Sequence, residues 1–455
     1  MDLDHDRGTL ILEPSPGEPD PDGGWLPGVL WDTRTSQWRA PAYRRADVLD
    51  ALAARRVAVA GAAASSARNP HAWSSDLTLR AHQQAALSAW SGAGRRGLIV
   101  LPTGAGKTRL ACAALAQVGL TALVLVPTRA LLHQWLAELG RWFLGPVGQF
   151  GDGVRDFQAL TVATYAAVWQ DAGRSLPPVG ALVVDEAHHF GAGRLRELLE
   201  LSPAEVRLGL TATPPSQGAD FDVLTALVGP IAFHATAAEL SGSVLSPWDR
   251  IVLPVHLPPD QLRAVQADEA MVRAAWRRCL TADSRATWAT FSAACLRTEE
   301  GRSVLAATSR RRAALAYPAA KRALLGALLR AHADDRVLVF ADDNRTVYDV
   351  AREHLLAPIT CEIEAAERQS LFAELRRGGL RGLVSARVLD EGIDVPEAEV
   401  AIILGGGGGD RTHVQRVGRV LRPGPDKRAT VYEIVVAGTR EVRLSSRRAR
   451  ALGLG

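Results

Sequence analysis

At 455 residues, with 47% hydrophobic and 22% charged side chains, the chain has an ordinary globular composition and is too long for one core, so two or three domains are expected. No apolar run nears the ~18 residues that span a bilayer. The acidic start lacks the order of a signal peptide, and Cys112, Cys279, Cys295 and Cys361 form no C-x-x-C pair. A membrane protein, a disulfide scaffold and a zinc module are thereby excluded, and the chain reads as cytoplasmic.

Its net charge of +4 is unevenly spread: between Asp410 and Arg450 eleven basic residues face four acidic ones. A basic end of this kind suits a polyanion. Only Lys107, Lys321 and Lys427 among the 53 basic residues are lysine, so a retained lysine invites a question.

The first 75 residues differ from the rest. A Pro/Gly-rich stretch (13–28) precedes an alternating, strand-like run (29–41) and a helical one (43–57), which together read as a small accessory module, 1–75, ending in a connector. Short apolar strands then alternate with helices, at 97–101, 121–126, 160–164, 181–185 and 206–212. Residues 258–335 are mostly helical by spacing, after which strands resume at 336–341, 381–386, 399–404 and 429–435. The pattern predicts an α/β protein with two parallel-sheet layers of similar build. The expected domains are 76–240 and 241–455, the second carrying a helical insertion near 258–315.

Two stretches carry chemistry. "LIVLPTGAGKTRLACAAL" is a strand, a loop with Gly104, Ala105 and Gly106, then Lys107 and Thr108 opening a helix. Backbone N–H groups in such a loop, backed by the positive helix end, cradle phosphate oxygens. Lys107 supplies a point charge to the β/γ-phosphates and Thr108 a hydroxyl to Mg²⁺. Leu101 stands where the strict P-loop pattern has its first glycine, but the inner pattern and its setting are intact. In "ALVVDEAHHF", Asp185 and Glu186 end a buried apolar strand. Paired carboxylates there are costly unless a cation or a proton transfer uses them. Asp185 suits the metal-binding acid and Glu186 the base that orients attacking water.

The ordered set from about Leu79 to Arg448 resembles superfamily 2 helicases: "LPTGAGKT" is similar to motif I, "VLVPTRALLHQW" to Ia, "VATYAAVW" to Ib, "VVDEAHHF" to II, "LGLTATPP" to III, "VLVFADDN" to IV, "VLDEGIDVPEAEVAIIL" to V and "QRVGRVLRP" to VI. Within them the likeness is to XPB-type DNA repair helicases of the short archaeal and bacterial form. The glycine-rich loop before motif VI, the end "TVYEIVVAGTREVRLSSRRA" and the N-terminal "GVLWDTRTSQWRAPAYRRADVL", which resembles a damage-recognition module, carry it. The Arg-Glu-Asp tripeptide of the family's strand-separating element is missing.

The resemblance implies two RecA-like domains in tandem that close around ATP, with Mg²⁺. Gln83 would read adenine, with Arg80 nearby, and Gly392 and Asp394 would meet the nucleotide. Arg419 and Arg422 would be arginine fingers, with Gln415 beside the attacking water. His188, Thr211 and Thr213 would couple hydrolysis to movement. Pro127, Thr128, Arg129, Thr164, Tyr165, Ser385 and Arg387 would hold a nucleic-acid backbone without reading sequence. Trp25, Trp31 and Trp38 are either module core or base-stacking residues.

The activity implied is an ATP-dependent, 3′→5′ DNA helicase acting in repair on single-stranded or forked DNA, in the cytoplasm on the nucleoid, with a repair nuclease as a further partner. A duplex translocase, an RNA helicase and an ATP-driven assembly factor are the alternatives. Glycines 405–409, between a domain-2 strand and the finger helix, read as a loop that passes close to its surroundings and lets the fingers swing.

Overall fold

The computed structural model describes residues 1–6, 8–15, 18, 21, 24–61, 67–171, 179–190, 196–215, 218–284, 286–386, 398–405 and 428–452. The chain divides into two compact units at Ala235/Thr236.

In the first unit the N-terminal segment forms an antiparallel sheet in the order Asp2–Asp6, Thr9–Glu13, Gln37–Pro41, Leu30–Asp32. Val48 and Leu52, four residues apart on the helix Arg45–Ala54, close over Leu3, Leu10 and Leu12. This module is fastened to the rest of the first unit. The nearly buried Arg45 pairs with Glu205 at 2.9 Å, and a side chain at Gly8 would collide with Leu201. Trp38 and Trp25 pack against the module core, Trp25 beneath the Arg55 guanidinium, while Leu30 and Trp31 remain exposed.

The larger sheet of this unit runs Ile231–His234, Arg96–Val100, Val206–Thr211, Ala181–Val184, Ala122–Val126, Leu160–Thr164, Val147–Gly151, Val154–Asp156, parallel except for the last hairpin. Its central strands are buried on both faces, which is why they read as unbroken apolar runs. The fully buried Arg207 donates to the carbonyls of Leu199, Ser202, Ala204 and Leu227 and so ties the helices Arg196–Glu200 and Ala219–Val228 to the loop that precedes its own strand.

The second unit has an all-parallel sheet ordered Trp248–Val255, Ala429–Val436, Val400–Ile403, Val337–Phe340, Gly382–Ser385, Ala357–Ile359. Helices Pro259–Ala282, Trp288–Cys295 and Glu299–Ala316 form a substructure with its own small core of Val272, Phe291 and Val304. The α/β class and the tandem parallel sheets are as the sequence predicts. Among the described residues no helix is long and apolar enough to cross a membrane.

Candidate nucleotide site and nucleic-acid face

The phosphate loop lies between the strand Arg96–Val100 and the helix Lys107–Val118. Gly106 caps that helix at φ +80°, and a Cβ there would sit 2.4 Å from the Gln83 amide nitrogen, so glycine is required on both counts. Gln83 itself is engaged. Its Oε1 accepts the Arg80 N–H at 2.8 Å and its Nε2 donates to the Gly106 carbonyl at 2.9 Å. His82 adds a second strut, since its Nε2, 2.8 Å from the Ala105 carbonyl, must carry the proton and donate. The helix Ala81–Gly92 thus supports the loop from behind, and Arg80 at its start is exposed. Lys107 folds back to donate to the Leu101 carbonyl at 3.0 Å, a self-satisfied pose from which it can turn to a phosphate.

Parallel register sets Ala181–Val184 beside Ala122–Val126 and Val206–Thr211, so the residues following these strands converge. Asp185 is 5% exposed. Burial pushes its carboxyl up, while the Trp135 indole, the Lys107 ammonium and the Glu186 N–H pull it back toward the ionised form. Trp135 Nε1–H donates to Asp185 Oδ2 at 2.8 Å and the Glu186 N–H to Oδ1 at 2.9 Å. Carboxylate oxygens accept more than one bond each, so both retain capacity for a cation. A single buried carboxylate within reach of the phosphate-loop lysine's charge fits Mg²⁺, which is held by one or two carboxylates plus substrate phosphates.

Glu186 adopts φ +47°, an uncommon conformation for a non-glycine residue. Its Oε2 lies 3.4 Å from His188 Nδ1, which is also 3.1 Å from Thr211 Oγ1. The Thr211 hydroxyl spends its proton on the Thr213 carbonyl and accepts the Thr213 N–H. Nδ1 of His188 therefore carries the proton. A continuous polar path runs from Glu186 through His188 to Thr211 and Thr213.

Pro127, Arg129 and Thr164 line a cleft of about 890 Å³ together with the Gly151–Val154 turn. Thr128 and Thr164 cap the helices Arg129–Trp142 and Tyr165–Gln170, each hydroxyl accepting a backbone N–H three residues on, so two positive helix ends meet at this wall. Two residues expected at the nucleic acid are placed otherwise. Tyr165 is buried, and its hydroxyl donates to the Asp185 carbonyl, which makes it a support of the acid. Ser385 is fully buried and donates to the Ile359 carbonyl at 2.9 Å within the second sheet. Arg387, Gly392, Asp394, Gln415, Arg419, Arg422 and glycines 406–409 lie outside the described residues. Gly405 is described, and a Cβ there would stand 3.0 Å from Glu441 and 3.1 Å from Lys321, so the glycine run begins against a buried ion pair.

Sequence reasoning assigns no role to Trp135, His82 or Asp152. Trp135 closes the segment "VLVPTRALLHQW" and is fully buried; an indole ending such a motif, with its obligatory N–H donor, is the signal that could have found it.

The fold and the site together define a P-loop NTPase with two tandem RecA-like sheets. Profiles of three families match the chain: "Type III restriction enzyme, res subunit" over residues 76–216, "Helicase conserved C-terminal domain" over 320–424 and "Xeroderma pigmentosum group B helicase damage recognition domain" over 3–63. The DNA 3'-5' translocase XPB2 of Sulfurisphaera tokodaii is 29% identical over 93% of this chain and 96% of its own length. The DNA 3'-5' helicase XPB of Kineococcus radiotolerans is 31% identical over 82% of this chain and 62% of its own. The chain spans nearly all of the first relative and less than two thirds of the second. The helicase domain of Pyrococcus furiosus Hef shares the fold, with a TM-score of 0.51 at 19% identity over 81% of this chain and 98% of that one. In sequence the chain is thus similar to XPB-type helicases of superfamily 2 across its N-terminal segment and both helicase domains.

Proposed function

We propose that the chain is an ATP-dependent DNA motor acting 3′→5′ in DNA repair. The observation that carries the chemistry is the buried Asp185 beside the Lys107 ammonium, followed at once by Glu186 at the start of the polar path to Thr213. In this reading Lys107 and the N–H groups of Gly104, Ala105 and Gly106 bind the β- and γ-phosphates, and Arg80 and Gln83 meet the base. Thr108 and Asp185 hold Mg²⁺, which when bound neutralises charge on the transferring phosphoryl group. Glu186 takes the proton of the attacking water as the γ-phosphoryl leaves ADP, and His188 senses the resulting change. Gly392 and Asp394 of the second unit contribute to nucleotide binding. Gln415, Arg419 and Arg422 complete the transition-state charge, with fingers of this kind worth ~10³–10⁵ in rate. Thr128, Arg129, Thr164 and Arg387 hold phosphates of the DNA strand, with Pro127 shaping the wall beside them. A repair nuclease is a fitting partner.

Trp135 anchors Asp185, so Trp135→Phe, which keeps the ring volume and deletes the donor, should lower kcat about tenfold, the worth of one hydrogen bond to a charged group, and raise the Mg²⁺ concentration needed for half-maximal rate. Steady-state ATPase across a magnesium titration checks this. An unchanged magnesium requirement removes Trp135 from the site.

At the cleft, Asp152 stands at φ +55° between Gly151 and Gly153 and pairs with both Arg129 (3.3 Å) and His133 (2.8 Å). An exposed pair is weak, so Asp152 restrains Arg129 lightly and competes with phosphate. Asp152→Asn is expected to tighten DNA binding about threefold and steepen the salt dependence by about one phosphate contact, as read from Kd at several salt concentrations. Unchanged slope and affinity would take the cleft off the DNA path.

Strand separation and duplex translocation are both open to such a motor. The missing Arg-Glu-Asp tripeptide favours translocation without separation. Release of the shorter strand from 3′- and 5′-tailed duplexes, run beside displacement of a triplex-forming strand, decides between them. Triplex displacement without unwinding identifies the translocase, and unwinding of 3′-tailed duplex alone identifies the helicase. Activity in neither assay overturns the motor.

A further inference from the structure

Arg311, on the helix Glu299–Ala316, is only 9% exposed. Other buried cations of the second unit have carboxylate partners: Lys321 pairs with Glu441 at 2.9 Å and Arg448 with Glu433 at 3.8 Å. Arg311 has no hydrogen-bond or ion-pair partner among the described residues. Such a group is costly in the free protein, because only the charges of Glu269 and Asp268, beyond ion-pair distance, offset its desolvation.

Its side chain lines a cavity of about 620 Å³ whose wall also includes Arg312, Arg440, Trp276, Trp288 and Gly405. That volume suits a small organic ligand. Of the three acids on the wall, Asp342, Glu269 and Glu441, the last two are committed elsewhere. Glu441 is tied to Lys321 and the Val436 N–H, and Glu269 accepts the Arg440 N–H at 3.0 Å with the Arg273 and Arg443 guanidinium groups 3.8 and 3.9 Å away. Arg312 reaches the wall with one N–H on the Asp342 carbonyl and the rest of its fork available. Beside these cations the indoles of Trp276 and Trp288 lie 5.8 Å apart, and Trp288 is 46% exposed.

Guanidinium groups waiting for an anion, next to an exposed indole, match the two halves of a nucleotide. We propose that this cleft binds a nucleoside phosphate unit, with its phosphate on Arg311 and Arg312 and its base against Trp288, at a site separate from the phosphate loop. The unit comes either from a nucleic-acid strand, in which case the inference rests on the DNA-motor reading, or from a free nucleotide.

The test uses the full chain in a Lys107→Ala background, which silences the phosphate loop, with oligothymidylate and ATP as separate probes. Arg311→Met should weaken binding of one probe about tenfold, the worth of a hydrogen bond to a charged group. Trp288→Ala should weaken the same probe about tenfold through lost stacking and leave inorganic triphosphate unaffected. Loss of oligothymidylate binding assigns the cleft to a strand, and loss of ATP binding alone assigns it to a free nucleotide. Arg311→Met that leaves both affinities unchanged overturns the proposal. If that variant does not fold, Arg312→Gln takes its place, and unchanged binding of both probes then overturns it equally. DNA-stimulated ATPase of the Lys107-containing protein separates the two readings. Stimulation with an inert cleft sinks only the cleft, and an Arg311-dependent ATP site without stimulation sinks only the motor.

Discussion

Replacing Glu186 by glutamine is expected to lower ATP turnover about 10²- to 10⁴-fold, the worth of a general base, while nucleotide affinity stays at the parental value. The amide keeps the shape of the side chain and, like the carboxylate, can stay near His188 Nδ1, which lies 3.4 Å from Oε2, but it cannot take a proton from water. Lys107→Ala should fail differently, losing affinity together with rate, because its charge meets the phosphates in the bound state as well as in the transition state. Single-turnover phosphate release and equilibrium binding of a fluorescent nucleotide read the two effects separately. Normal turnover by the Glu186→Gln protein would remove the base from the mechanism, and equal losses of binding and rate would make Glu186 a structural residue.

The second large effect concerns folding. Lys321 is fully buried and donates to the Leu315 and Leu404 carbonyls and to Glu441, whose other oxygen accepts the Val436 N–H at 2.8 Å. The pair ties the helix Ala319–Ala331 to the end of the strand Val400–Ile403 and to the start of the helix Arg440–Ala451. Lys321→Met fits the space but strands a buried carboxylate, and removing one partner of a buried pair costs about 3–5 kcal/mol.

Burial already pushes the Glu441 carboxyl up, and Lys321 is the main influence pulling it down. Without the lysine the folded-state pKa rises further above the unfolded one. The native state then holds a proton that the unfolded chain releases, so stability falls as pH rises above the ordinary carboxylate value of 4.5 and is recovered on acidification. The double variant Lys321→Met/Glu441→Gln should regain most of the loss. Hydrogen exchange of the strands Val337–Phe340 and Val400–Ile403 reports the second unit, and the strands Ala122–Val126 and Ala181–Val184 serve as an internal control. Parental exchange in the single variant would mean that the pair contributes nothing, and equally fast exchange in single and double variants would clear the stranded carboxylate as the cause.

Lys321 also shows where a sequence stops being legible. The scarcity of lysine singles out three positions, and the pattern around Lys107 explains one. What Lys321 does depends on Glu441, 120 positions away, and no local spacing reveals that. The same holds for Trp135 and Asp185, which are 50 residues apart and meet because the helix carrying Trp135 follows the strand Ala122–Val126, which parallel register sets beside the strand that ends at Asp185.

The P-loop and the Asp185–Glu186 pair were legible because loop and strand end are each a short contiguous stretch whose chemistry is local. Central strands were legible because burial on both faces leaves an unbroken apolar run. Ile231–His234, Ala357–Ile359 and Trp248–Val255 were missed. They lie at sheet edges, are largely half-exposed, and lack such a run. Asp2–Asp6 was missed for a related reason, since only Leu3 of "DLDHD" is buried and the segment reads as an acidic tail. Tyr165 and Ser385 carry hydroxyls in motifs that the resemblance assigned to nucleic acid, yet packing turns both side chains inward, a choice made by tertiary neighbours and not by the motif.

The central claim is that ATP turnover at Lys107, Asp185 and Glu186 is driven by DNA. The most direct measurement is the steady-state rate of phosphate release by the full chain with no nucleic acid, with single-stranded DNA, with duplex DNA and with RNA, at fixed salt. The rate should rise severalfold with DNA, fall back as added salt weakens phosphate contacts, and be about 10²- to 10⁴-fold lower in the Glu186→Gln protein under every condition. A rate indifferent to DNA, or raised by RNA alone, would contradict the claim.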